Sequence, residues 1–294
     1  MDKLSLRDGR ELTLGGRTLV MGIVNVTPDS FYPASRSNGV TNVLDRVSDM
    51  VEAGVDILDV GGESTRPGSR PVALRDEMDR VVPAVAEIRR HFAIPISVDT
   101  RKSEVANAAL DHGADLINDV SALRDDPALA AVIAGARVPV ILMHMRGAPE
   151  TMQLNIHFDD TMYEIESELR ERIAYAISHG IEEEQILLDP GIGFGKRISD
   201  NLRILRELPK FAAMGFPVVV GASRKGFVGA VVGGEEGTLT VEDRLSGSLA
   251  VAAYAAANGA HILRVHDVAE TVHVVRMIHA IMNAIPETIG ELAE

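Results

Sequence analysis

Asn25, Asp99, Asn118, Asp189, Lys225, Arg264 and His266 each stand at or just past the end of a short apolar run, as does Glu63-Ser64-Thr65-Arg66. Carboxylates and amides exchange hydrogen bonds with polar heteroatoms, while Lys and Arg bind anionic oxygen. Such a set fits a polar, partly anionic small molecule. Other chemistries are poorly served. His144 has no His four residues away and no His/carboxylate cluster with metal-ligand spacing. Ser223 lacks the Gly-x-Ser-x-Gly elbow of an acyl-enzyme nucleophile. The run Gly191-Ile-Gly-Phe-Gly-Lys196 has the spacing of neither a phosphate loop nor a dinucleotide fingerprint.

Each residue also has a plain structural reading. Asn25 can initiate a turn before Pro28. Asp99 and Asp189 can cap the next helix or loop, Lys225 and Arg264 can be solvated charges, and His266 can flank a last helix capped by Asp267. Periodicity speaks against coincidence. One tip residue per apolar run gives positions 25, 61, 99, 118, 144, 189, 223 and 264, spaced on average about 34 residues apart, close to the ~30 or more of a βαβ unit.

The runs that carry these tips are Leu19–Val24, Val55–Val60, Pro95–Val98, Asp115–Ile117, Val138–Met143, Gln185–Leu188, Val218–Val220 and His261–Val265. They are near-continuously apolar and rich in β-branched residues, the pattern of strands buried on both faces. Between them lie helical stripes. Strong ones span Val40–Val51, Leu74–Ile88, Met162–Ile177, Leu245–Ala256 and Val268–Met282; weaker ones fill Ser103–His112, Asp126–Ala136 and Asp200–Phe211. Eight strand-helix repeats in 294 residues predict an α/β fold, a closed (β/α)8 TIM barrel whose active site lies in the loops after the strands. Residues 1–18, with Asp8-Gly9 and Gly15-Gly16 turns, read as a hairpin closing the bottom of the barrel, and no linker divides the chain, so 1–294 reads as a single domain.

Composition narrows the field further. With 46% apolar residues the chain has enough core to fold. A formal charge of −14 argues against nucleic-acid and anionic-membrane partners. No Cys removes thiolate chemistry and disulfides. No run approaches the ~18 apolar residues of a membrane span, and the first residues lack the core of a signal peptide. The expectation is a soluble, cytoplasmic protein.

Together the tip segments resemble the dihydropteroate synthase family of pterin-binding TIM barrels across nearly the whole chain. The resemblance rests on Met21-Gly-Ile-Val-Asn-Val-Thr-Pro-Asp-Ser-Phe31, Asp56-Ile-Leu-Asp-Val-Gly-Gly-Glu-Ser-Thr-Arg-Pro-Gly68, Ser97-Val-Asp-Thr-Arg-Lys102 and Ile117-Asn-Asp-Val120. It continues through Met143-His-Met-Arg-Gly-Ala-Pro-Glu-Thr-Met-Gln153, Asp189-Pro-Gly-Ile-Gly-Phe-Gly-Lys196, Gly221-Ala-Ser-Arg-Lys-Gly226 and Arg264-Val-His-Asp-Val268. It implies condensation of 6-hydroxymethyl-7,8-dihydropterin diphosphate with para-aminobenzoate, releasing pyrophosphate with Mg²⁺ assistance, in a homodimer that sulfonamides inhibit. Carried over by motif, Asp99, Asn118, Asp189 and Lys225 resemble the pterin pocket and Asn25 the Mg²⁺ ligand. Thr65, Arg264 and His266 resemble the diphosphate clamp; Phe31, Arg66, Pro67, Phe194 and Ser223 resemble the para-aminobenzoate site. Lys225, Asp99, Arg264 and His266 are then the residues expected to carry catalysis.

Two departures stand out. The first loop runs Tyr32-Pro33-Ala34-Ser35-Arg36 where the family usually has Ser-Asp-Gly-Gly, and Ile192 stands where many members have Phe, softening one pocket wall. A pterin-binding methyltransferase of the same superfamily would have no use for Arg264-Val-His266 beside Lys225, and a non-catalytic paralogue would have lost tip residues.

Phe31, Arg66 and Pro67 fall in Gly-, Pro- and Ser-rich loops, unlike the pterin residues at strand ends. Binding should therefore be ordered. In calorimetry, para-aminobenzoate should bind free protein weakly and far better with pyrophosphate and Mg²⁺ present; equal affinity in both states means the loops are already set.

Overall fold

In a computed structural model the described residues are 3–7, 9–26 and 36–284, with side chains described from residue 43 onward in the last span. The chain enters through a short antiparallel hairpin, β1 (Lys3–Ser5) and β2 (Glu11–Thr13), in register Leu4 opposite Leu12. Eight parallel strands come next: β3 (Leu19–Asn25), β4 (Ile57–Gly61), β5 (Ile96–Asp99), β6 (Leu116–Asp119), β7 (Val140–Met143), β8 (Ile186–Asp189), β9 (Val219–Val220) and β10 (Ile262–Val265). Their order is β8-β7-β6-β5-β4-β3-β10-β9. The ring closes between β8 and β9 through one bridge, Leu188 to Val218, and the Leu188 amide donating to the Pro217 carbonyl at 2.9 Å. Pro217, with no N–H to give, keeps this seam short. The (β/α)8 barrel expected from the spacing is the fold found.

Around it lie α1 (Arg36–Ala53), α2 (Leu74–His91), α3 (Ser103–Asp111), α4 (Ala128–Ala136), α5 (Thr161–Ser178), α6 (Ile198–Arg206), α7 (Pro209–Ala212), α8 (Gly226–Gly233), α9 (Leu245–Ala257) and α10 (Val268–Met282). Two details differ from the sequence pattern. The stripe expected over Asp200–Phe211 is two helices, α6 and α7, with Pro209 opening the second. Helix α8, Gly-Phe-Val-Gly-Ala-Val-Val-Gly, has no counterpart among the expected helices, because it is apolar on every side and so shows no stripe. Among the described residues, no helix is long and apolar enough to cross a membrane.

Period two governs the strands. Val20, Leu58, Val60, Val98, Ile117, Val140, Leu142, Leu188 and Leu263 face outward into the helical layer and form the large core. The alternate residues fill the barrel. Its lower half is an apolar plug of Leu19, Met21, Ile57, Leu116, Ile141, Leu187, Val219 and Ile262, capped by Leu4 and Leu14 of the N-terminal segment. Two residues further along, the inward positions become Asp59, Asp99, Asn118, Asp189 and Arg264, all beyond an apolar residue or, on β5, Ser97. The plug thus forms a dry floor beneath a polar tier, and the hairpin seals it from below.

Leu4 is fully buried against that floor. Leu4→Ala should cost about 2–5 kcal/mol, read as a lowered denaturation midpoint at unchanged slope. A cost under about 0.5 kcal/mol would mean the hairpin does not seal the barrel.

Candidate active site

Arg264 rises from β10 into the middle of the polar tier. Its Nε donates to Asp59 Oδ2 at 2.6 Å and its Nη2 to Asp99 Oδ2 at 2.7 Å. Asn118 Nδ2 donates to the same Asp59 oxygen at 3.2 Å, so one carboxylate aligns both a cation and an amide. Across the ring, Asp189 accepts from the Gly191 amide at 2.7 Å. Gly221 keeps the tier open: a Cβ there would stand 3.8 Å from both Asp189 Oδ2 and the Arg264 Cβ, already in contact with each.

Burial sets the ionisation of the tier. Desolvation raises the Asp99 carboxyl to about 7; Arg264 opposes the shift while Asp59, Glu77 and Asp119 add to it. Asp189 is likewise raised by burial, against the pull of Lys225. The Lys225 ammonium is pushed down to about 7, chiefly by burial, with Asp189 and Asp99 holding it up and Arg264 opposing. Burial also works against the Arg264 charge, but Asp59 and Asp99 more than offset it, and its pKa rises.

Above the tier opens a cavity of about 780 Å³. Asn25, Thr65, Asp99, Lys225, Arg264 and His266 line it on the polar side. Arg66, Pro67, Phe194 and Ser223 line it as well, whereas Asn118 and Asp189 are buried beneath it. The Lys225 ammonium sits 4.3 Å from the Phe194 ring centroid and donates to the Ile192 carbonyl. Ser223 Oγ accepts from the His266 amide at 3.2 Å and lies 3.1 Å from its Nδ1. The His266 imidazole is lowered to about 4 by burial first, then by Arg264 and Arg66, so near pH 7 it is neutral. All the expected site residues with described positions therefore converge on this tier and cavity. Phe31 and the first loop up to residue 35 lie outside the described residues.

Several of the plainer readings fall. Asp99 caps no helix: the residue at the start of α3 is Lys102, and Asp99 pairs with Arg264. Asp267 occupies the N-cap position of α10 but makes no side-chain cap; it holds Arg224 at 2.9 and 2.5 Å. Ile192 softens no wall, because its side chain is fully buried in the outer core and does not line the cavity.

Other residues of the site escape sequence reasoning. Asp59 looks like one letter inside an apolar run, although period two from Ile57 puts it inside the barrel. Glu63 looks like no more than part of a tip; it accepts from Lys102 at 2.5 Å and from Arg101, and Lys102 reaches on to Glu77, tying the loop after β4 to α2. The Gly191–Lys196 run has a structural logic of its own. Gly191, Gly193 and Gly195 have φ of +68°, +83° and +64°, and a Cβ on Gly191 would lie 1.8 Å from the His144 carbonyl.

Fold and site together define a barrel enzyme that holds a small polar molecule above its strand ends. The "pterin binding enzyme" family model matches residues 21–266. The dihydropteroate synthase of Escherichia coli K12 is 44% identical over 265 residues, covering 90% of this chain and 92% of that one. The Xanthomonas albilineans dihydropteroate synthase solved with 4-aminobenzoic acid superposes with a TM-score of 0.87 at 43% identity, covering 97% of this chain and 99% of that one. The Yersinia pestis dihydropteroate synthase in a sulfonamide drug complex gives 0.88 at 40%, covering 96% and 100%. The chain belongs to the dihydropteroate synthase family of pterin-binding enzymes.

A histidine with a depressed pKa stabilises the fold above its unfolded value, near 6.5, and that contribution is lost as pH falls toward the folded value, about 4 for His266. His266→Gln should therefore flatten the loss of thermal stability of the free protein between pH 6.5 and 4. An unchanged slope would mean the imidazole is as easily charged in the fold as in water.

Proposed function

We infer that this protein condenses 6-hydroxymethyl-7,8-dihydropterin diphosphate with para-aminobenzoate, giving 7,8-dihydropteroate and pyrophosphate for folate biosynthesis. The observation that carries the reading is the polar tier itself: buried carboxylates and an amide on strand ends, with Arg264 and Lys225 beside them. Asp99, Asn118 and Asp189 offer acceptors and one amide to the N–H-rich edge of the pterin, and Lys225 donates to its ring carbonyl and nitrogen. Thr65, Arg264 and His266 take the diphosphate, Arg through its planar fork and neutral His266 as a hydrogen-bond partner. Phe194 supplies the flat wall for the aminobenzoate ring, with Arg66, Pro67 and Ser223 toward its carboxylate; the resemblance adds Phe31 to this set.

In the reaction the methylene C–O bond breaks, its electrons leaving with the diphosphate. The resulting cation is shared with the electron-rich dihydropterin. The neutral aniline nitrogen then forms the C–N bond and releases one proton. No strong base is needed, so positioning and charge do the work.

Asn25 fits a Mg²⁺ role as far as one ligand goes: an exposed amide oxygen at the end of β3, suited to a hard cation. Among the described residues no group of three or more His, Asp or Glu side chains forms a metal cage, so diphosphate oxygens and water would complete the shell. Bound there, the ion would neutralise charge on the leaving group. Sulfonamides, matching the aminobenzoate in ring and anionic head, would compete in the same cavity. A homodimer, a cytoplasmic location and a single domain over 1–294 complete the proposal.

The test is direct. Purified protein given the pterin diphosphate, para-aminobenzoate and Mg²⁺ should form dihydropteroate and pyrophosphate in equal amounts. Lys225→Ala should keep the fold and lose at least tenfold in turnover, since deleting one donor of this kind commonly costs ~2.7–4 kcal/mol. Near-normal turnover in folded Lys225→Ala protein would sink the role given to it.

A further inference from the structure

In the wall of the cavity lies a further cation, Lys196, that none of the roles above needs. Lys196 is 3% exposed, yet among the described residues no carboxylate bonds to its ammonium. It donates instead to the Phe194 carbonyl at 3.0 Å and the His144 carbonyl at 3.3 Å, and it sits 2.8 Å from His144 Nδ1. Its three partners belong to two loops, the one after β7 and the glycine loop after β8.

The imidazole is oriented in turn. His144 is 1% exposed, and burial with the nearby Lys196 lowers its pKa to about 3, so it is neutral. Accepting from Lys196 at Nδ1 leaves the ring proton on Nε2, and Glu168 Oε2 faces that nitrogen at 3.1 Å as an acceptor out of line with its N–H. Glu168 is itself fixed by Arg146, whose Nε and Nη2 reach its Oε1 at 2.9 and 2.5 Å, while the guanidinium lies 4.0 Å over Phe158. A chain of contacts thus runs from α5 through Glu168, His144 and Lys196 to the backbone of Phe194.

A buried ammonium is costly unless its bonds do something the fold requires. What these bonds hold is specific. Gly191, Gly193 and Gly195 all adopt left-handed backbone, and a chain so free loses much entropy when ordered. Its other restraints include Asp189 on the Gly191 amide at 2.7 Å, the Phe194 amide on the Gly191 carbonyl at 3.1 Å, the Asn201 side chain on the Gly193 amide at 2.7 Å, Gln153 on the Gly193 carbonyl at 2.8 Å, and Lys225 on the Ile192 carbonyl. Among the described residues, Lys196 alone grips the carbonyl of Phe194, whose ring faces the cavity.

We propose that Lys196, oriented through His144 and Glu168, is a positioning residue that fixes the glycine loop and with it the Phe194 ring as the wall for the incoming aromatic amine. Its ammonium bonds go to the two loops, so it acts through Phe194. The centre of the pterin tier is held by Asp59 and Arg264 on strands. Asp189 and Lys225 bond to the glycine loop at the Gly191 amide and the Ile192 carbonyl, ahead of the Phe194 carbonyl that Lys196 grips; the staple therefore acts chiefly on the second substrate.

The inference rests on the reading of the site as a dihydropteroate synthase, and the experiment separates the two. Wild-type protein that forms no dihydropteroate overturns that reading and this one with it. Given an active wild type, Lys196→Met should raise KM for para-aminobenzoate at least tenfold while the calorimetric Kd of the pterin diphosphate changes less than threefold. Loss of both affinities together would mark a general structural role, and no change in either an idle residue; each overturns the staple alone. Should Lys196→Met fail to fold by circular dichroism, the half-buried Glu168 decides. Glu168→Ala should raise KM for para-aminobenzoate at least threefold, and Glu168→Gln, which keeps an acceptor facing His144, should return it to within twofold of wild type. Equal KM values for Glu168→Ala and wild type refute the proposal.

Discussion

A guanidinium held between two buried carboxylates organises this molecule. Arg264, bridging Asp59 and Asp99, makes a polar tier tolerable inside a barrel whose inward layer below is apolar but for Ser97. Neither part would persist alone. Two carboxylates at this depth would repel each other with no cation between them, and a lone arginine would leave a buried charge uncompensated. Asp59 is the hinge of the arrangement: it is fully buried, and one of its oxygens serves both Arg264 and Asn118. The apolar plug and the hairpin beneath matter because they keep water from competing for those bonds from below.

The tier is balanced but not saturated. Asp99 and Lys225 are both pushed to about 7 from opposite directions, the carboxyl upward and the ammonium downward. Each would be better served by a partner of complementary character than by its present surroundings. A heterocycle with several N–H groups and one carbonyl answers both at once, offering donors to the acids and an acceptor to the lysine. The same low dielectric that makes these groups uneasy when empty strengthens their bonds to a ligand that excludes water.

How much of this is legible in the sequence depends on scale. Strand-helix alternation reports the barrel because buried parallel strands must be apolar on both faces, and the tip residues report the site because nothing else explains polarity at every strand end. The features that escape are hidden by their context. Asp59 sits among Ile57, Leu58 and Val60, where average apolarity absorbs it; only counting by twos along β4 sets it with Asp99 and Asn118. Helix α8 escapes because an all-apolar segment has no stripe to detect. Ile192 is misplaced for another reason: the resemblance sets it where many members have Phe and so on the pocket wall, while the left-handed glycines on either side turn its side chain into the core and leave Phe194 facing the cavity.

The site divides into parts with different mechanics. Its floor is made of side chains on strands, locked by the barrel's own ladder and by Arg264. Its walls are loops that carry no ladder, and each is fastened by buried charge: the loop after β4 through Glu63, Arg101, Lys102 and Glu77, and the glycine loop after β8 through Lys196, His144 and Glu168. Such fastenings are directional and short, so they specify one loop conformation where an apolar contact would permit several. The first substrate can therefore meet a surface already formed, while the second depends on how well these ionic clasps hold. Rigidity thus falls from the barrel's centre, where the strands fix the side chains, to its rim, where the loops depend on such clasps.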